Sequence, residues 1–168
     1  MTTTNTNTLV ITREVNAPRE LVWKAWTEKD SLAHWWGPKG AKIEVINFDL
    51  KPGGIFHYSM EYQGGVKMWG RFEYKEVQPV EKLVFINSFS DEGGNIARAP
   101  FFDGGWPLEI MNTLTLVQNA DNTTTLTLKG LAINATDAEM NTFIGNHESM
   151  QNGFAGTFEQ LEDYLATL

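Results

Sequence analysis

Cysteine is absent from the 168-residue sequence. That absence excludes disulfide scaffolds, thiol nucleophiles and zinc–thiolate sites. Basic residues are scarce: 13 Lys and Arg stand against 21 Asp and Glu, a net charge of −8. Nucleic-acid backbones and anionic lipid surfaces both demand clustered positive charge, so neither is expected as a partner. No run approaches 18 consecutive apolar residues, and the opening MTTTNTNT has neither a basic nor an apolar block. A membrane-spanning helix and a secretory signal are therefore not expected, and a cytoplasmic location is. Histidine is rare, and the three present, His34, His57 and His147, fall on different predicted elements. No metal site is expected from them. Motifs for activated serine, phosphate-binding loops, zinc-protease helices and dinucleotide turns are missing too, so no cofactor is expected.

What is plentiful is aromatic surface: 10 Phe, 6 Trp and 4 Tyr. Rings in that number must enter a core, a cavity or an interface. With 42% hydrophobic and 20% charged residues, the composition is that of a globular chain long enough for one ordinary domain.

Residues 1–8 offer little to bury and are expected to form a disordered tail, with a single domain over 9–168. Leu9 to Val15 alternates as a first strand. Pro18 then suits the first position of a helix whose apolar side is Leu21, Val22, Ala25 and Trp26. A second short helix over 27–36 is stopped by Gly37-Pro38. From residue 41 the period becomes two. Strands are expected over 42–50, 54–62, 66–77, 81–89, 108–118 and 123–132, with Gln63-Gly64-Gly65-Val66 as a tight hairpin turn. The stretch 90–107 is too long for a hairpin turn and carries Phe101, Phe102 and Trp106, which suits a lid or a loop packed on the body.

Thr136 with Glu139 matches a capping box that opens a final helix running to about residue 165. Its stripe is Phe143, His147, Met150, Phe154, Phe158 or Thr157, Leu161 and Leu165. The interior glycines Gly145, Gly153 and Gly156 suggest close backbone approach or a kink near Gly145. One strand, two short helices, a six-strand meander and a long helix make an α+β fold with a curved antiparallel sheet of about seven strands and a helix across its concave face.

Arg13-Glu14-Val15-Asn16-Ala17-Pro18, followed by Leu21-Val22-Trp23-Lys24-Ala25-Trp26-Thr27, resembles the opening of the family of activators of the heat-shock-chaperone ATPase. Trp35-Trp36-Gly37-Pro38, Asp49-Leu50-Lys51-Pro52-Gly53-Gly54, Gly70-Arg71-Phe72 and the segment from Val77 to Phe85 continue the resemblance in order. That family is placed in the helix-grip superfamily of START, birch-pollen-allergen and polyketide-cyclase proteins. The resemblance implies the helix-grip fold and a deep, mostly apolar pocket between sheet and final helix. Two departures bear on that pocket: Gly153-Phe154 replaces the more usual Gly-Trp, and 90–107 is longer than usual.

The expected cavity lining combines apolar rows with isolated polar residues: Trp35, Phe56, Tyr58, Met68, Asn87, Phe102, Trp106, Asn112, Phe143, His147, Met150 and Phe154. Asn87 and Asn112 interrupt inward-facing rows of neighbouring strands, and a buried amide demands a partner. Tyr58 brings a hydroxyl, and His147 a group able to bond a ligand or move a proton near pH 7. Of Trp35 and Trp36, one ring is expected to plug the pocket and the other to pack outside, while Trp69 falls in the polar phase of its strand. The expected function is binding of a small apolar or aromatic ligand by a monomer or homodimer. A cyclase, dehydratase or hydrolase using the same cavity, and a chaperone co-regulator acting through its surface, are the alternatives.

Overall fold

The computed structural model describes residues 7–168. Residues 1–6 of the expected tail lie outside the described residues, and Asn7 and Thr8 form a half-buried turn. The chain then runs β1 (Leu9–Val15), α1 (Arg19–Thr27), α2 (Lys29–Trp35), β2 (Lys42–Phe48), β3 (Ile55–Glu61), β4 (Lys67–Gln78) and β5 (Lys82–Ser90). A short 3₁₀ turn (Phe102–Gly104) precedes β6 (Glu109–Gln118), β7 (Thr124–Ile133), α3 (Asp137–Gly145) and α4 (His147–Leu165). All seven expected strands form within two residues of their predicted ends. No helix among the described residues is long and apolar enough to cross a membrane.

The strands make one antiparallel sheet in the order β1-β7-β6-β5-β4-β3-β2. β2 to β7 follow one another as hairpins, so only the α1–α2 segment must travel, from the β1 edge to the β2 edge. Bulges between Val45 and Asn47 and between Tyr74 and Glu76 bend the strands that carry them. On the concave face Phe56, Phe72, Phe85, Leu114, Leu126 and Leu128 are buried beneath Val22, Trp26, Leu32, Trp35 and Phe158. The Phe72 and Phe85 rings stack at 4.2 Å.

Pro18 caps α1 from outside with extended backbone instead of occupying its first turn. α1 reaches Thr27, and α2 begins two residues later than expected because Glu28 is extended and separates the two. The expected single final helix is two. The Thr136–Glu139 capping box opens α3 as predicted, but Asn146 breaks the helical run before α4 begins. Arg13 on β1 holds α4 with a bidentate pair to Glu162 at 3.1 and 3.0 Å. Thr157 and Gln160 both donate to the Gly37 carbonyl, at 3.0 and 2.8 Å. Gly37 has φ +96°, and a Cβ there would stand 2.7 Å from the Ile43 side chain. Glycine is thus what lets the end of α2 turn beneath α4. Trp69 is half-buried on β4 and does not stand out from the surface.

Candidate functional site

β5 pairs with β6 only as far as Asn87 opposite Ile110, while its other edge stays paired with β4 out to Ser90 opposite Trp69. Beyond Asn87 the sheet therefore parts. The segment from 91 to 108 fills that seam, and under it lies a cavity of about 400 Å³. Trp36 and Tyr58 form its inner wall, with Met60 and Gly70 beside them. Phe101, Phe102, Trp106 and Ile110 form the loop side. Asn146, Ser149, Met150, Gly153, Phe154 and Thr157 form the helix side. The lining is predominantly apolar and contains no Asp, Glu, Lys, Arg or His.

The structure brings six of the twelve expected residues onto this cavity: Tyr58, Asn87, Phe102, Trp106, Met150 and Phe154. The other six lie outside its lining. Trp35 is fully buried in the main core, its indole N–H bonded to the Ala25 carbonyl at 2.9 Å, so it neither plugs the cavity nor packs outside. Phe56 packs within the same core, tilted against Tyr58 and edge to face with Phe72. Met68, opposite Met60, is half-buried at the sheet's edge of the core. Asn112 sits two pairs deeper than Asn87, opposite Phe85, and bonds the Ile110 carbonyl at 3.3 Å rather than the other amide. Phe143 is enclosed behind Trp106 with Leu9, Ile110 and Ala132.

His147 is the sixth. The break at Asn146 resets the helical phase, which turns His147 toward Phe143, edge to face at 4.9 Å, while Met150 and Phe154 reach the cavity. Its Nε2 is buried with no hydrogen-bond partner. Burial lowers its pKa below 6.5, and the nearby Asn7 backbone opposes that shift. The imidazole is not among the residues that line the cavity. The cavity residues absent from the expected lining include Trp36, Gly37, Pro38, Phe101 and Ser149, and Thr157, the alternative to Phe158 on the helix stripe, lines it too. The Gly37-Pro38 stop signal marked that corner without showing that it formed a wall.

The loop is anchored at its base and free at its tip. Arg98 donates to the Gly104 and Trp106 carbonyls at 3.3 Å each and pairs with Glu139. Glu139 is itself a member of the capping box of α3, accepting from the Thr136 backbone N–H at 2.9 Å. Trp106 is buried, whereas Phe101 and Phe102 remain 41% and 43% exposed over the cavity. Phe102 and Asp103 adopt left-handed backbone, at φ 63° and 49°. For a phenylalanine that conformation costs about 1–2 kcal/mol. Stacking of Phe102 on Trp106 at 5.3 Å and the three Arg98 bonds hold it there.

Among the polar groups of the lining, Asn87 and Tyr58 are joined. The Asn87 Nδ2 donates to the Arg71 carbonyl at 3.1 Å and to the Tyr58 hydroxyl at 3.3 Å. Because a carbonyl can only accept, the bond to Arg71 fixes which way the amide points. Burial raises the Tyr58 pKa above 10, against donation from Trp36 and Asn87, so the phenol stays protonated at neutral pH.

The family model for the Activator of Hsp90 ATPase homolog 1-like protein matches residues 16–166. No match was found among the curated proteins. Among solved structures, a protein from Mycobacterium smegmatis is 26% identical, with 95% of this chain and 90% of that one covered and a TM-score of 0.74. One from Arthrobacter aurescens is 23% identical, with 100% and 91% covered and a TM-score of 0.80. One from Chromobacterium violaceum is 22% identical, with 93% and 95% covered and a TM-score of 0.70.

Proposed function

The chain belongs to the Activator of Hsp90 ATPase homolog 1-like family, and from that starting point we propose that it binds a small, uncharged apolar or aromatic ligand in the cavity between sheet and α4. The observation that carries this reading is an apolar space of about 400 Å³ with a few polar side chains and no ionisable group other than a protonated tyrosine. Ligand pockets have this size and this balance. A core built only for stability closes such space, because unfilled volume forfeits dispersion contacts. Charged ligands fit poorly, since nothing in the lining would compensate the desolvation of an ion.

The test is a fluorescence titration with N-phenyl-1-naphthylamine, a neutral probe that brightens in apolar surroundings. The expected result is saturable binding at one site, weakened about tenfold or more by Met150→Trp, which puts an indole into the cavity. Absence of saturation, or binding indifferent to Met150→Trp, overturns the reading.

A further inference from the structure

We propose that the ligand carries one acceptor oxygen of carbonyl type on its apolar body, and that the Tyr58 hydroxyl donates to that oxygen. The inference deepens the binding reading and rests on it. Its ground is the hydrogen-bond arithmetic of one buried phenol. Tyr58 is 3% exposed and lines the cavity, and its hydroxyl lies between two further lining residues, 3.3 Å from the Asn87 Nδ2 and against Gly70. The Asn87 amide cannot turn its oxygen toward Tyr58 without presenting that oxygen to the Arg71 carbonyl, so Asn87 donates. The Trp36 ring stands edge to face with the Tyr58 ring, 6.4 Å away, and its indole N–H could only donate. The side chain that bonds the Tyr58 oxygen, Asn87, is therefore a donor, and the phenolic proton is left for the contents of the cavity. In the free protein water can take it; a bound molecule without an acceptor would strand it.

Gly70 shows that this hydroxyl is held in place rather than merely present. A Cβ on Gly70 would stand 2.5 Å from both Cζ and the hydroxyl oxygen of Tyr58. The phenol lies flat over the one position of β4 that has no side chain, opposite it in register, with Phe56 and Phe72 against its ring. A donor fixed in this way loses little freedom when it bonds a ligand. Donation into its oxygen by Asn87 also polarises its O–H bond, which strengthens the bond it makes in turn.

Two probes of almost identical shape test the assignment: 2-acetylnaphthalene, which has the carbonyl, and 2-isopropenylnaphthalene, which has a methylene in its place. Both are titrated into the native protein and into Tyr58→Phe. The expected result is that the ketone-to-hydrocarbon affinity ratio falls about threefold to tenfold on Tyr58→Phe, a comparison that cancels the probes' different solvation. The infrared carbonyl band of the ketone bound to the native protein is expected at lower frequency than in hexane. An unchanged ratio, or a band at the hexane position, overturns the Tyr58 assignment while leaving the cavity reading intact. Failure of both probes to bind the native protein saturably overturns the cavity reading itself, and the assignment with it. The infrared band decides the matter alone if Tyr58→Phe does not fold.

Discussion

At the end of the sheet covered by α1, α2 and the last turns of α4, Trp26, Trp35, Phe72, Phe85 and Phe158 meet ring against ring and leave no room. At the other end Trp106, Phe101, Phe102 and Phe154 are no smaller, yet they surround a cavity. Aromatic content does not distinguish the two. The strand pairing does: the filled end lies over continuously paired β3 to β7, and the open end lies where β5 and β6 have separated. A loop with its own internal bonds spans that gap, and a spanning loop cannot press side chains together as a paired sheet does. Stability is concentrated at one end and available space at the other.

Paired truncations give the largest expected contrast. Phe85→Ala, at 1% exposure, should cost about 3–5 kcal/mol, whereas Phe102→Ala should cost under about 1 kcal/mol in the same urea titration. Equal losses would break the division into a filled and an open end. A smaller effect of opposite sign is expected from Gly153→Ala. Gly153 lies inside α4 at the cavity, and an added Cβ meets nothing within 4 Å. Alanine should therefore raise stability by about 0.5–1 kcal/mol through helix propensity, measured by thermal or urea unfolding. A loss instead would mean that the helix needs glycine there for a reason the cavity wall does not explain.

The most local effect is acid release of the loop. The Thr136 backbone N–H, then Arg98, hold the Glu139 pKa below 4.5. Because the folded value lies below the unfolded one, the stabilisation is present above about pH 4.5 and is lost as pH falls through the folded value. Amide protection in residues 98–107, taken relative to the intrinsic exchange rate at each pH, should then fall on acidification while protection in β3 and β4 does not. Arg98→Met should produce the same loss of protection at neutral pH. Exchange that responds to neither change would show that the loop is held by its aromatic packing alone.

The sheet was legible because strands such as β6 bury one face, so Ile110, Asn112, Leu114 and Leu116 announce themselves by alternation, and because even β3, buried on both faces, alternates Phe56, Tyr58 and Met60 with polar His57 and Ser59. The fold class and the family resemblance followed from the same rows, and the family match over residues 16–166 agrees with them. The cavity was legible only by halves, for three physical reasons. Asn87 and Asn112 occupy equivalent places in their rows, and only the parting of β5 from β6 puts one on the wall and the other behind it. Trp35 and Trp36 are adjacent and both apolar, so periodicity could not tell the core ring from the cavity ring. The residues around Asn146 permit a continuous helix, so the stripe was extended through a break that turns His147 aside.

The order of the sheet has a consequence for biosynthesis. Leu9 pairs with Gly130, and the salt bridge that fastens β1 to α4 joins Arg13 to Glu162. On an emerging chain, β1 has no strand partner until β7 is made, and the part of the concave face that lies under α4 has no cover until α4 follows. The hairpins from β2 to β7 can form one after another as they leave the ribosome, with α1 and α2 already made to cover one end, but the apolar surface that α4 buries stays wet meanwhile. The domain thus completes its core only after β7, when the segment that completes the sheet and the helix that closes it arrive almost together.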